Sequence, residues 1–337
     1  MNKLNKIGVS ALCGSLAAIS AANAGDLTVT GGADITWVSQ EGAVTGNPMG
    51  IGSNFGFSGS GELDNGWSVA LSIAHDNGGG YSNTSVTVGV PGTGDFLLNQ
   101  GGTGTGIQRM DDMTPTVWEE ADGAGLSAGI NKVTGTAGGA TIEWTPSMTP
   151  DGLAARIAYS PDSDSEPSGD KAMAGVSGPK GQGWDVTLTA TDALHGVAGL
   201  TAYAGYSQVD QFANTTAISG DVDETVFGAK YAMGSFTVGY QRSVEDTGRA
   251  ATNTEYTNTA YGITFNVNDD LSIGYNHVES DVTTTTNVTA EADSLQAAYT
   301  MGGATFRIAE VDVKNQAYST AAGTDVESTI ISLGLAF

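Results

Sequence analysis

The sequence predicts an all-β fold, a 16-stranded antiparallel transmembrane β-barrel, on three observations. Apolar residues alternate with small or polar ones in successive runs of about ten residues. The connections between runs are alternately short and long. The last run carries Ile331, Leu333, Leu335 and Phe337 on one face and Ser328, Ser332, Gly334 and Ala336 on the other. Strand side chains alternate with period two, so this is one apolar face backed by one small, polar face. A soluble protein needs a second sheet over such a face. In a barrel lipid covers it, and the terminal aromatic falls in the interfacial girdle.

The N-terminus reads as an export signal over residues 1–24. Lys3 and Lys6 precede a short apolar core, and Ala22-Asn23-Ala24 is a small-x-small cleavage site. The core is too short for a spanning helix, which takes about 20 apolar residues. The barrel domain is then 25–337. Cys13, the single cysteine, lies in the leader, and Leu12 before it does not suit lipoprotein processing. The mature chain therefore has no disulfide and no thiolate chemistry.

Against 37 Asp and Glu stand 12 Lys and Arg, a formal net charge of −25. That excess excludes nucleic acid and anionic surfaces as partners, and it favours cations. No Pro- and Ser-rich linker divides the chain, and no mature stretch of 18 apolar residues suggests a helical span.

Taken in order, Leu27, Val29, Ile35 and Trp37 share the first apolar row, and Phe55 and Phe57 the second. Asp64-Asn65-Gly66 is a hairpin turn, because Asn-Gly tolerates positive φ. Trp67, Val69, Leu71 and Ile73 follow, then strands over 82–90 and 95–100. A long segment, 101–139, comes next. Beyond it strands are expected over 141–145, 153–160, 184–190 and 200–206. Three hairpins pair 222–232 with 235–245, 256–267 with 271–281, and 291–300 with 304–314. The strand 325–337 closes the count. The face opposite the apolar rows is Thr, Ser, Gly, Asn and Asp almost throughout, so two packed sheets would lack half their core. Closed pairing also leaves no backbone group unsatisfied in lipid.

Export signal, strand count, turn asymmetry and terminal Phe together resemble the Gram-negative general porins, the acidic α-proteobacterial type most of all. The resemblance covers residues 25–337 and is architectural. It implies an outer-membrane homotrimer for passive diffusion of ions and small hydrophilic solutes, surrounded by outer-membrane lipid. It also implies a third loop folded into the lumen as a constriction. Phe337 matches the signal read by the barrel-assembly machinery. On this resemblance Arg109, Asp111, Asp112, Glu119, Glu120 and Asp122 of segment 101–139 line the constriction, with Met113 and Trp118 as anchors. Basic residues on the wall are expected opposite those acids. Parity places Arg156 and Lys230 inward and Arg242 outward; Arg307 also points inward, although the alternation slips near Ala309. Excess carboxylates in a low-dielectric passage predict cation preference.

Other constellations are weaker. Residues 162–170 carry four carboxylates, and oxygen-rich loops hold Ca²⁺; the order lacks that of an EF-hand, so a solvated loop is the plainer reading. No other cofactor is expected. His75, His195 and His277 are scattered and read as rim or turn residues. Glycine clusters at 92–94 and 102–106 precede no helix and read as turns. No catalytic constellation is found, so no enzyme is expected. Trp37, Trp67, Trp144 and Trp184 fall on the apolar face, as interfacial belts require. Two alternatives remain: a substrate-specific channel of the same architecture, and a secreted β-rich adhesin whose acidic loops bind Ca²⁺.

Overall fold

The computed structural model describes residues 27–41, 47–76, 81–100, 104–123, 127–164, 178–212, 218–251, 253–283 and 287–336. The proposed leader, Phe337 and most of the acidic run 162–170 lie outside them. Sixteen antiparallel strands form one closed barrel, each pairing with its sequence neighbours and β1 with β16. They are β1 (Thr28–Gln40), β2 (Met49–Glu62), β3 (Ser68–Asp76), β4 (Tyr81–Val90), β5 (Gly94–Asn99), β6 (Thr141–Pro146), β7 (Leu153–Ser160) and β8 (Lys180–Ala190). The second half comprises β9 (Leu200–Gln211), β10 (Val222–Met233), β11 (Phe236–Asp246), β12 (Glu255–Asn266), β13 (Leu271–Thr283), β14 (Val288–Met301), β15 (Ala304–Lys314) and β16 (Val326–Ala336).

The closing register sets Ile35 opposite Leu333 and Trp37 opposite Ile331. Each apolar row therefore continues across the seam onto the outer face. That face exposes Val29, Ile51, Phe227, Ile263, Leu295 and Phe306, among others. Lipid covers such a surface in a membrane barrel, and no helix among the described residues is long and apolar enough to span. The inner face is small and polar: Asp185, Ser207, Ser280, Ser294 and Ser332 are fully buried there. At the β2–β3 turn Gly66 takes φ +81°, while Asn65 Oδ1 accepts from the Trp67 amide at 3.1 Å. An L side chain rarely adopts that φ, which is why Asn-Gly marks the hairpin.

Three expectations need correction. The slip near Ala309 does not occur: β15 pairs with β14 and β16 in unbroken register. Val311 and Val313 face inward and pack with Ala121 and Ala128 of the segment after β5. Covered by that segment, the inner face becomes apolar there, and Glu310, Asp312 and Lys314 take the outer positions. His277 is no rim or turn residue but lies within β13, its ring stacked on Tyr261 and its Nδ1 2.8 Å from Asp293. Tyr275 donates to the same carboxylate. Lastly, β8 starts at Lys180, with a register shift before Gly183, so its outer end is longer than the apolar row indicates.

Candidate functional site

The segment between β5 and β6 is built from a root, where its two arms meet, and a tip. At the root two short 3-10 turns, Gly106–Met110 and Gly135–Gly138, lie against β7, β8, β9 and β10. Glu143 of β6 accepts from the Gly106 amide at 2.7 Å and from Arg109 at 2.8 Å. Asp185 of β8 accepts from the Ile107 amide at 3.0 Å and from the Thr136 hydroxyl at 2.8 Å. Glu224 of β10 accepts from the amides of Thr134 at 3.0 Å and Gly135 at 2.7 Å. The three acids are 2%, 0% and 1% exposed. Gly106 and Gly135 have φ of +56° and +54°. Successive N–H groups converge in such a turn and make a concave seat for an anion, here a wall carboxylate. Ile107, Met110 and Val133 pack with Tyr203 and Val226 beside it.

The tip is held by neutral amides. Gln241 donates to the Asp111 carbonyl at 2.9 Å and accepts from the Met113 amide at 3.2 Å. Asn276 donates to the Thr114 hydroxyl at 2.8 Å and accepts from the Ala121 amide at 2.7 Å. Gln296 accepts from the Trp118 amide at 2.9 Å and donates to the Glu119 carbonyl at 2.5 Å. A primary amide carries both N–H donors and a carbonyl acceptor, so each of these side chains can donate to one group of the segment and accept from another. Pro115 occupies the space that side chains at Gly239 and Gly262 would fill.

The charged residues of interest divide sharply. Arg109 is paired with Glu143, and Arg156 of the wall lies 3.7 Å from the same carboxylate. Lys132 bridges Glu120 at 2.7 Å and Asp122 at 3.6 Å within the segment. Arg307 pairs with Asp34 of β1 at 3.0 Å and lies 5.7 Å over the Trp118 ring. Lys230 is half-buried on the inner face of β10, without an ion pair among the described residues. Asp122 is buried, accepting from the Ala128 amide at 2.8 Å. Asp112 and Glu119 are exposed. Near the tip a cavity of about 460 Å³ is lined by Trp118, Glu119, Asp269, Asp270 and Arg307.

The simple opposition of loop acids to wall bases does not hold at the root. There the wall supplies the carboxylate, Glu143, and the segment supplies Arg109. The backbone needs acceptors where its arms enter, and a buried carboxylate satisfies several amides at once.

Burial shifts several groups of the segment. It raises the Asp111 carboxyl, with the charge of neighbouring Asp112 adding to it, to about 7. Burial likewise raises Asp122. Desolvation opposes the ionised forms of Glu120 and Lys132, yet their mutual hydrogen bond and charge prevail. Glu120 is thereby held below the usual carboxylate range, and Lys132 above its own.

The residues that sequence reasoning missed are Asp185, Glu143, Glu224, Gln241, Asn276 and Gln296. Their signal was a large polar side chain at an inward position among Thr, Ser and Gly.

A family profile of Gram-negative porins matches residues 8–317. The chain belongs to that family. As a porin with this closed barrel it is an outer-membrane protein that crosses with strands, and it supports passive diffusion. Among solved structures it is similar to Salmonella typhi OmpF in complex with daunomycin, at 13% identity and TM-score 0.69, covering 93% of this chain and 98% of that one. It is also similar to an anion-selective porin from Comamonas acidovorans, at 14% identity and TM-score 0.65, covering 93% and 99%. A Rh. blastica porin variant matches at 15% identity and TM-score 0.58, covering 93% and 100%. These likenesses establish the fold. No match was found among curated protein sequences.

Proposed function

We propose that this porin is a cation-preferring diffusion channel whose segment 104–140 crosses the lumen as its constriction. The single observation that carries this reading is the ring of inner-face partners. Hydrogen bonds from one segment reach β6, β8, β10, β11, β13 and β14, more than half of the barrel's circumference. Cation preference is supported by the division of charge. Arg109, Arg156 and Arg307 each have a carboxylate within ion-pair distance, whereas Asp112 and Glu119 are exposed. Exposed carboxylates in a narrow, low-dielectric passage concentrate cations. The fold itself does not decide the sign, since one similar barrel is an anion-selective porin.

Family membership supports a homotrimer, and we propose with it insertion in outer-membrane lipid and recognition of Phe337 by the assembly machinery. The role is transport, without a chemical step. Among the described residues no group of three or more His, Cys, Asp or Glu is gathered to hold a metal. Asp162 and Asp164 instead accept backbone amides of Asp164 and Lys180. The test is reversal potential under a salt gradient, with the folded protein in a planar bilayer. Stepwise openings with a cation-selective potential are expected; an anion-selective potential overturns the charge assignment.

A further inference from the structure

We propose that Asp185, assisted by Glu143 and Glu224, is a positioning residue: it locks the two arms of the constriction together and leaves ion selectivity to other carboxylates. This assignment rests on the reading of segment 104–140 as the constriction.

Asp185 is the group that both arms share. Its Oδ2 accepts from the Ile107 amide of the entering arm at 3.0 Å. The same oxygen accepts from the Thr136 amide at 3.2 Å and hydroxyl at 2.8 Å on the returning arm. Glu143 then holds only the entering arm, and Glu224 only the returning one. The backbone is shaped to this carboxylate. A Cβ at Gly106 would collide with it, and one at Gly135 would stand 2.7 Å from it and 2.6 Å from Ile107. Both glycines have positive φ, which turns their amides toward the wall.

Burial separates this role from selectivity. Asp185 has no exposed surface, and three donors already converge on one of its oxygens. A permeating ion cannot touch it. What it controls is where the segment stands, hence the width and steadiness of the passage.

The test uses the full-length folded barrel and compares Asp185→Ala, Asp185→Asn, Gly135→Ala and Glu119→Gln. Amide hydrogen exchange at Ile107 and Thr136 is read beside single-channel current and reversal potential. Asp185→Ala is expected to speed exchange at both amides at least about tenfold. It should also add fluctuation between conductance levels, at wild-type reversal potential. Asp185→Asn keeps an acceptor at the shared position while removing the charge, so it should restore quiet current without moving the potential. Gly135→Ala should reproduce the Ala phenotype from the other partner, and it serves if Asp185→Ala does not fold. Wild-type exchange in both Asp185→Ala and Gly135→Ala overturns the locking role. A potential shift in Asp185→Asn as large as in Glu119→Gln overturns the charge-silent role. Faster exchange with unaltered current keeps the lock and rejects the constriction instead, so the two failures read differently.

Discussion

The root and the tip of segment 104–140 are fastened to the same wall by different chemistry. At the root the acceptors are carboxylates, buried and each shared among several donors; at the tip they are the neutral amides Gln241, Asn276 and Gln296. A hydrogen bond contributes about 0.5–1.5 kcal/mol net, so an acceptor that gathers several donors from both arms fixes the backbone more firmly than one that takes a single donor. The root also demands glycine at two positive-φ positions, whereas Thr114, Pro115 and Trp118 at the tip have ordinary backbone. A segment with one rigid end and one yielding end holds its position while its exposed face remains adaptable.

The largest effect is expected from Gly135→Val. A β-branched residue at φ +54° is strained, and its Cβ meets Asp185 and Ile107. The root should lose about 3 kcal/mol or more. Limited proteolysis should then cleave within 104–140 while the barrel stays folded, and conductance should rise. Resistance equal to wild type would show that the root is not the rigid end.

Next comes charge reversal at the exposed face. Replacing Asp112 and Glu119 together with Lys should lower the cation-to-anion permeability ratio by about tenfold, as charges near a protein surface interact by one to a few kcal/mol. Reversal potential measures it directly. The same exchange at the buried Glu224 should instead disrupt the root, so a matching clean shift there would erase the distinction between anchoring and selecting acids.

Much of this architecture was legible before any coordinates. Period-two alternation, Asn-Gly turns and turn asymmetry determine strand number and facing, because lipid favours apolar residues at outer positions across most of each strand. Hence Arg156, Lys230 and Arg242 fall on the faces that parity assigns. The candidate site was less legible. Segment 104–140 has almost no repeating secondary structure, and its conformation is dictated by partners as much as 189 residues distant, as in the Gln316–Ser127 bond. Arg109 and Asp122 looked like pore charges, yet each is used internally. Val311 and Val313 broke the alternation because a segment elsewhere in the sequence covers them.

A smaller effect concerns pH. Asp111 ordinarily titrates near 3.8, and burial with Asp112 beside it raises it to about 7. Around it stand Asp112, Glu120, Asp122 and Lys132 of the segment, with Gln241, Ser243, Asn258 and Asn276 of the wall. A carboxyl with a raised folded value favours the packed segment fully below its unfolded value, and that contribution is lost as pH rises through about 7. Protection of the amides near residues 111–113, taken relative to intrinsic exchange at each pH, should therefore be greater at pH 5 than at pH 8. Cation preference should fall over the same window as the carboxylate takes up its proton. Asp111→Asn should abolish both dependences; a midpoint that stays near 7 in that variant would assign them to another group.

The smallest effect probes the tip alone. Gln296→Leu removes both the acceptor for the Trp118 amide and the donor to the Glu119 carbonyl. Leaving such groups unpaired costs about 1–3 kcal/mol each where they are buried. Trp118 is only half-buried, so water recovers part of that. Exchange at Trp118 should quicken about tenfold, while Ile107 and Thr136 keep their wild-type rates because Asp185 still bridges the arms. Trp118 would also lose its fixed place beneath Arg307, which remains paired with Asp34. If the root amides quicken as much as Trp118, root and tip open as one unit. The carboxylate and amide fastenings would then differ in chemistry without differing in what they hold.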